Sequence, residues 1–358
     1  MKRRRATAPL DRSIMSSENH VRVIDPLDDP AWDAKIAEFP DASFFHGAAW
    51  ARVLHHTYGF APMYLVATTN GRWRGVLPIM EVDSWLTGRR GISLPFTDHC
   101  SPLGLDPEVF GELNRAAIAL ATERQWRHWE LRSSTAAPIS AAFHGHSIAL
   151  DQPIAALFAR CDGAVRRAVR KAQSEEVMVS FSQSLDSIRS FRDLLCQTRR
   201  RHGLPPQPLH FFDNIQGHVL QPGKGSVVLA HVQGKPVAGA VFFHFGRAAM
   251  FKYGASDTAF QHLRPNNLVL WRAIEWHARS GFAHLDLGRT ALDNEGLRRF
   301  KLSWGATERR IEYARFDRHA AAFVGAKDSL PGWSTQLFRI LPPSLARLAG
   351  AVAYKHVA

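Results

Sequence analysis

Residues able to do chemistry concentrate in the second half of the chain. The run FKYGASD places Lys252 and Tyr253 inside an otherwise apolar strand, and strand interiors seldom hold a cation without a partner. Either alternation turns Lys252 to solvent or a site needs it. DLGRT ends a later strand, where α/β sheets present side chains to ligands. There Asp286 can orient an attacking amine or take its proton, since a protonated amine is not nucleophilic, and Arg289 can hold an anionic group. Glu130 occupies the matching place in the first half, so a structural acid in both halves stays open. Arg264, Asn266 and Asn267 in QHLRPNN stand at a helix start with Pro265 suited to its first turn. They suit a phosphate or a polar substrate group, or ordinary helix capping.

Arg166, Arg167, Arg170 and Lys171 form the densest basic patch, with Arg166 and Arg170 on one helical face, and Arg199 to His202 add to the same field. Such a patch can take a diphosphate, a tRNA backbone or nothing specific. NEGLRRFK places Glu295, Arg298 and Lys301 on a helix, a charged face that is commonly only solvated. There is no Gly-x-Ser-x-Gly elbow, no dinucleotide fingerprint and no His-Glu-x-x-His, and QPGKGS lacks the Walker spacing. His55-His56 and His144-x-His146 have no carboxylate or cysteine companions in sequence, so no metal is expected. Without a nucleophile motif, the chemistry that fits is direct transfer between aligned reactants.

The elements that must position these residues repeat. In the first half a hairpin turns at Asn70-Gly71, followed by the strand GISLPFTD, a helix from Pro107 and the strand HWELR. In the second a hairpin turns at Gln233-Gly234, followed by AAMFKYGAS, a helix from Pro265 and AHLDLG. The helix-to-strand step aligns without a gap: Ala117, Ile118, His128, Glu130 and Leu131 recur as Ala273, Ile274, His284, Asp286 and Leu287. This order predicts a mixed α/β (α+β) fold with two tandem domains, each a mixed sheet flanked by helices. The expected boundaries are a basic tail at 1–20, domains at 21–150 and 151–322, and a helical tail at 323–358. A helix over 155–173, a strand over 176–183 and a helix over 187–201 open the second domain, and no strand is expected after Tyr313.

The chain's 358 residues suit two domains, and 46% hydrophobic content excludes a mainly disordered chain. A net charge of +13 points to an anionic partner. Cys100, Cys161 and Cys196 are too dispersed for a disulfide framework, which suits a cytoplasmic protein. No apolar run is long enough to span a membrane. Leu341, Leu345, Leu348 and Val352 make an apolar stripe among basic residues, either a shallow peripheral contact with the inner membrane face or a packing surface.

FFHGAAWARVLHHTYGF, RRAVRKAQSEEV, FKYGASD, RPNNLVLWRAIEWHARSGFAHLDLGRT and NEGLRRFKLSWGA resemble the corresponding blocks of FemAB-like proteins, and most the BioF2-like branch associated with exopolysaccharide and exosortase systems. The resemblance runs from about Phe44 to Tyr313 and implies tandem GNAT domains. In that family the best-known members move an amino acid from aminoacyl-tRNA to a cell-wall precursor. By resemblance the Lys252 strand faces the substrate cleft, making Lys252 a phosphate or carboxylate partner and Tyr253 a hydroxyl donor or acceptor, while Arg298 and Lys301 move toward substrate phosphate. The Arg-or-Gln, x, x, Gly, x, Gly-or-Ala loop of coenzyme A binders is absent from both halves.

Together these readings predict an acyl- or aminoacyltransferase acting on an amine of an anionic, lipid-linked peptidoglycan or polysaccharide precursor. The donor is aminoacyl-tRNA or acyl-CoA, and no DNA partner is expected. Acetyl-CoA-dependent N-acetylation of a sugar or amino acid is the second reading. A non-catalytic module binding an anionic polymer or membrane surface is the third.

Overall fold

The computed structural model describes residues 20–133, 137–325, Tyr354 and His356. The basic N-terminal tail and the Leu341 to Val352 stripe lie outside the described residues.

Both hairpins form where the sequence places them. Asn70 and Gly71 have φ of 51° and 77°, and Gln233 and Gly234 have 50° and 77°, two consecutive left-handed residues that match the twist of the flanking strands. The helix Pro107–Glu123 starts on Asp106, whose carboxylate accepts the Val109 amide, and buries Val109, Leu113, Ala117, Leu120 and Ala121. Its counterpart Pro265–Arg279 also opens on proline, but Arg264 before it is left-handed at φ 59° and supplies no side-chain cap. The basic segment expected as one helix is two, Ile154–Arg160 and Gly163–Ser174, because the backbone turns extended at Cys161.

In each half the helix crosses between two parallel strands. Arg90–Ser93 runs parallel to His128–Leu131, and Ala248–Ser256 parallel to His284–Ala291. The halves are knitted by exchanged strands. Ile139–Ala149 lies between His284–Ala291 and Thr307–Asp317, and Thr307–Asp317 pairs in turn with His128–Leu131 of the first half. One long mixed sheet therefore crosses both halves, beside a four-stranded sheet built from the first.

Two elements contradict the expectation of no strand after Tyr313: Thr307–Asp317 continues past it, and Ala322–Val324 pairs back on Arg315–Asp317. TERRIEYARFD has no clean apolar alternation because its polar side chains are matched across the sheet by partners from distant sequence.

In the first half the indole of Trp126 packs under Gly91 while donating to Glu81 Oε2 at 2.6 Å. A Cβ on Gly91 would fall inside that ring. Gly91→Ala is expected to lower unfolding stability by about 2–3 kcal/mol through overpacking, measured by chemical denaturation.

Candidate functional site

The parallel strands Ala248–Ser256 and His284–Ala291 pair only at Ala248/His284, Ala249/Leu285 and Met250/Asp286. Beyond Asp286 they part. The first follows Lys235–Phe245 to Ser256, and the second follows Ile139–Ala149. A wedge opens between them, and each strand carries an irregularity beside it. Opposite the Val241 and Phe242 pair, Lys252 is the extra residue between Tyr253 and Phe251. Bulges re-aim side chains, so simple alternation does not govern Lys252. On the other strand the register slips between Asp286 and Arg289, with Gly288 at φ 74°.

Lys252 is half-buried, and its amine turns inward. Its Nζ donates to the Phe96 carbonyl at 2.5 Å and lies 5.0 Å from the Phe45 ring and 5.3 Å from the Trp50 ring. Burial pulls its pKa down to about 8, against the pull of Asp98 toward the charged form. Asp98, which nothing in the sequence singled out, is the centre of the cluster. It reaches from a first-half loop to within 3.6 Å of Arg289 Nε, and a Cβ on Gly288 would come within 2.9 Å of its Oδ2. The glycine is thus required both for the left-handed turn and for this approach. The loop is pinned on both sides: Arg132 Nη1 donates to the Thr97 carbonyl at 2.9 Å, and the Tyr313 hydroxyl donates to the Asp98 carbonyl at 2.7 Å.

Asp286 sits at the apex. Its Oδ1 accepts the Gly288 amide at 2.6 Å, and its Oδ2 is 3.5 Å from Arg309. Burial raises its pKa, and these two partners do not cancel the effect. Glu130, its repeat counterpart, is held differently, between Arg132 at 3.0 Å and Arg315 at 3.1 Å. Burial presses that carboxyl upward, but the two guanidinium groups outweigh it and hold it low. The first-half acid is thus held in an ion pair, whereas the second-half acid keeps a raised pKa.

Of the other sequence candidates, Arg289 joins the cluster: its Nη1 donates to the Tyr313 hydroxyl at 2.6 Å and its guanidinium lies 4.3 Å from the Phe143 ring. Lys301 is buried and donates to the Gly288 and Arg289 carbonyls at 2.9 and 3.0 Å. It thereby holds the irregular backbone in place, and burial lowers its pKa to about 8. Tyr253 packs its ring against Phe211 and Phe212, and burial raises its hydroxyl pKa. Arg298 lies elsewhere, paired through Nε and Nη2 with Glu308 at 2.7 and 2.9 Å. Arg166 donates to the Ala159 and Cys161 carbonyls, and Arg170 stacks over Phe158.

Arg264, Asn266 and Asn267 line a groove of about 440 Å³ with Arg201, Gly239, Gly254 and Phe251. A second hollow of about 520 Å³, lined by Lys171 and Arg167, shares Arg264, Asn267 and Phe300 with it. The start of the Pro265 helix, lacking a side-chain cap, thus lies in a groove ringed by Arg167, Lys171, Arg201 and Arg264. Unpaired cations beside the positive end of a helix dipole suit a phosphate or diphosphate, so the residues present fit a phosphate-bearing acyl carrier even without the glycine-rich loop.

The comparisons agree with this geometry. The acetyltransferase (GNAT) domain family matches residues 159–302. No protein of curated function matches the sequence. Among solved structures, the fold is similar to FemX at TM-score 0.64 and 14% identity, covering 82% of this chain and 96% of that one. It is similar to L-PGS from Bacillus licheniformis at 0.54 and 12%, covering 87% and 96%. A tandem GNAT protein from the clavulanic acid biosynthesis pathway aligns at 0.53 and 14%, covering 84% and 99%.

Lys252 is expected to titrate near pH 8 by side-chain ¹⁵N NMR. Asp98→Asn removes a carboxylate that favours the charged amine, so it should move that midpoint further down. An unchanged or raised midpoint would separate Asp98 from Lys252.

Proposed function

We propose that this chain, an acyltransferase with the tandem GNAT fold of FemAB-like proteins, moves an acyl or aminoacyl group directly onto an amine of an anionic cell-envelope precursor. The observation that carries the reading is the carboxylate with a raised pKa where the two strands part, and a cationic groove along the first of those strands suits a phosphate-bearing donor. The donor, acyl-CoA or aminoacyl-tRNA, supplies an activated carbonyl. Asp286 takes a proton from the incoming amine as the new C–N bond forms and returns it to the departing carrier oxygen or sulfur. Lys252, at the bulge, offers positive charge to the carbonyl oxygen as it gains charge. Lys301 and Gly288 keep the Asp286 turn in shape. The likeness to FemX and L-PGS supports an envelope acceptor, as does the cationic rim.

The test offers purified protein acetyl-CoA and aminoacyl-tRNA in parallel, with a panel of amines, and reads products by mass spectrometry. Asp286→Asn is expected to lower kcat by about 10²–10⁴-fold with little change in KM for the donor. Arg264→Ala should instead raise the donor KM while sparing kcat. Transfer with neither donor by the wild type, or full activity in Asp286→Asn, would overturn the reading. Saturable 1:1 binding of acetyl-CoA in calorimetry would select it over aminoacyl-tRNA.

A further inference from the structure

Between the paired strands Met80–Val82 and Arg90–Ser93 the chain turns through Ser-Trp-Leu-Thr-Gly. Trp85 is 85% exposed and Leu86 63% exposed, so an indole and an isobutyl group stand side by side in water at a loop tip. The exposure is built by the residues beneath it. Ser84, at the base, is buried. Its carbonyl accepts the Gly88 amide at 2.7 Å, and its Oγ accepts the Leu86 and Thr87 amides at 3.2 and 3.0 Å. Gly88 closes the turn at φ 80°, a left-handed conformation that favours glycine. His356 fixes the base a second time: its Nδ1 lies 2.8 Å from Ser84 Oγ, and its carbonyl accepts from Thr87 Oγ1 at 3.2 Å and from Arg90 Nη2 at 2.9 Å.

The amides of Leu86, Thr87 and Gly88 are therefore all met inside the loop. Backbone that enters a lipid interface must bring its hydrogen bonds with it, because hydrocarbon offers none; a loop in water has no such need. The surroundings are cationic. Arg89 and Arg124 are matched by Asp83 and Glu81 at 3.0 and 2.7 Å. Arg127 is exposed, and its Cδ lies 4.0 Å from where a Cβ on Gly88 would stand. Arg318 reaches the same corner, donating through Nε to the Trp126 carbonyl at 3.1 Å and through its amide to the Arg127 carbonyl at 3.3 Å. Neither Arg127 nor Arg318 forms an ion pair among the described residues. Tryptophan favours the boundary between lipid and water, and basic side chains are drawn to anionic headgroups. A stable protein partner would need roughly 800 Å² from this side, more than two side chains at a tip provide, whereas a bilayer takes such side chains singly.

We propose that the loop at 84–88 is a membrane-insertion tip: Trp85 and Leu86 enter the interface of an anionic bilayer while Arg127 and Arg318 meet its headgroups. This does not rest on the acyl-transfer reading, since the tip precedes the strand Arg90–Ser93 and Asp98 follows that strand's other end. The full chain is sedimented with vesicles of phosphatidylglycerol and phosphatidylcholine, and with vesicles of phosphatidylcholine alone. Binding to the anionic vesicles is expected, weaker on phosphatidylcholine and weaker as salt rises. Trp85→Ser combined with Leu86→Ser should weaken it about tenfold or more at an unchanged unfolding midpoint, and Arg127→Ala should weaken it severalfold. Leu86→Asp places a charge where little packing is lost, so it carries the test if the double variant does not fold. No binding to the anionic vesicles, or binding untouched by the tip variants, overturns the proposal. A lowered unfolding midpoint with binding unchanged would assign the tip to packing within the chain. A protein that binds vesicles through the tip but transfers from neither donor overturns the acyl-transfer reading alone.

Discussion

The second half of this protein depends on one failure of pairing. Two parallel strands that share three residue pairs separate after Met250 and Asp286, each continuing with a different partner. Backbone groups inside a sheet are normally all satisfied, so an interior gap must be filled by irregular backbone, by inserted side chains or by ligand. Here all of the first two are present. Lys252 and Gly288 mark the irregularities, Asp98 enters from the other half, and Lys301 caps the carbonyls that the turn at Gly288 releases. The separation cannot collapse because the strand Ile139–Ala149 occupies the outer edge of His284–Ala291.

That exchanged strand also explains why two similar halves have different chemistry. It draws Thr307–Asp317 against His128–Leu131, which brings Arg315 to Glu130 and Arg309 to Asp286. The first carboxylate receives a second close cation beyond Arg132 and is held ionised; the second receives one at longer range and keeps a raised pKa. Identical positions in a repeat thus diverge through a few side chains delivered by the far end of the chain.

Much of this was legible in sequence and some was not, for physical reasons. Asn70-Gly71 and Gln233-Gly234 announce hairpins because their required φ is local, and Pro107 and Pro265 announce helix starts for the same reason. Lys252, Asp286 and Arg289 stood out because charge in an apolar strand is locally anomalous. ISAAFHGHSIA and TERRIEYARFD did not read as strands, since their partners lie more than a hundred residues away and pair polar side chains such as His146 with Glu308. Asp98 carries no local signal at all: only its tertiary approach to Gly288 and Arg289 brings it into the candidate site. Arg298 looked like a phosphate ligand because sequence cannot show that Glu308, on the next strand, already neutralises it.

The same distinction sorts the excess positive charge. A cation that is satisfied internally contributes little attraction for a distant anion, because its field is cancelled at short range. Arg74, Arg124, Arg132, Arg298 and Arg315 each face a carboxylate, and Arg166 is spent on helix carbonyls. Arg167, Lys171, Arg201 and Arg264 form no ion pair among the described residues, and all four border the connected grooves at the start of one helix. Exposed, unpaired cations and the positive end of a helix dipole reinforce one another there. Part of the excess positive charge thus gathers, without carboxylate partners among the described residues, around the start of the Pro265 helix.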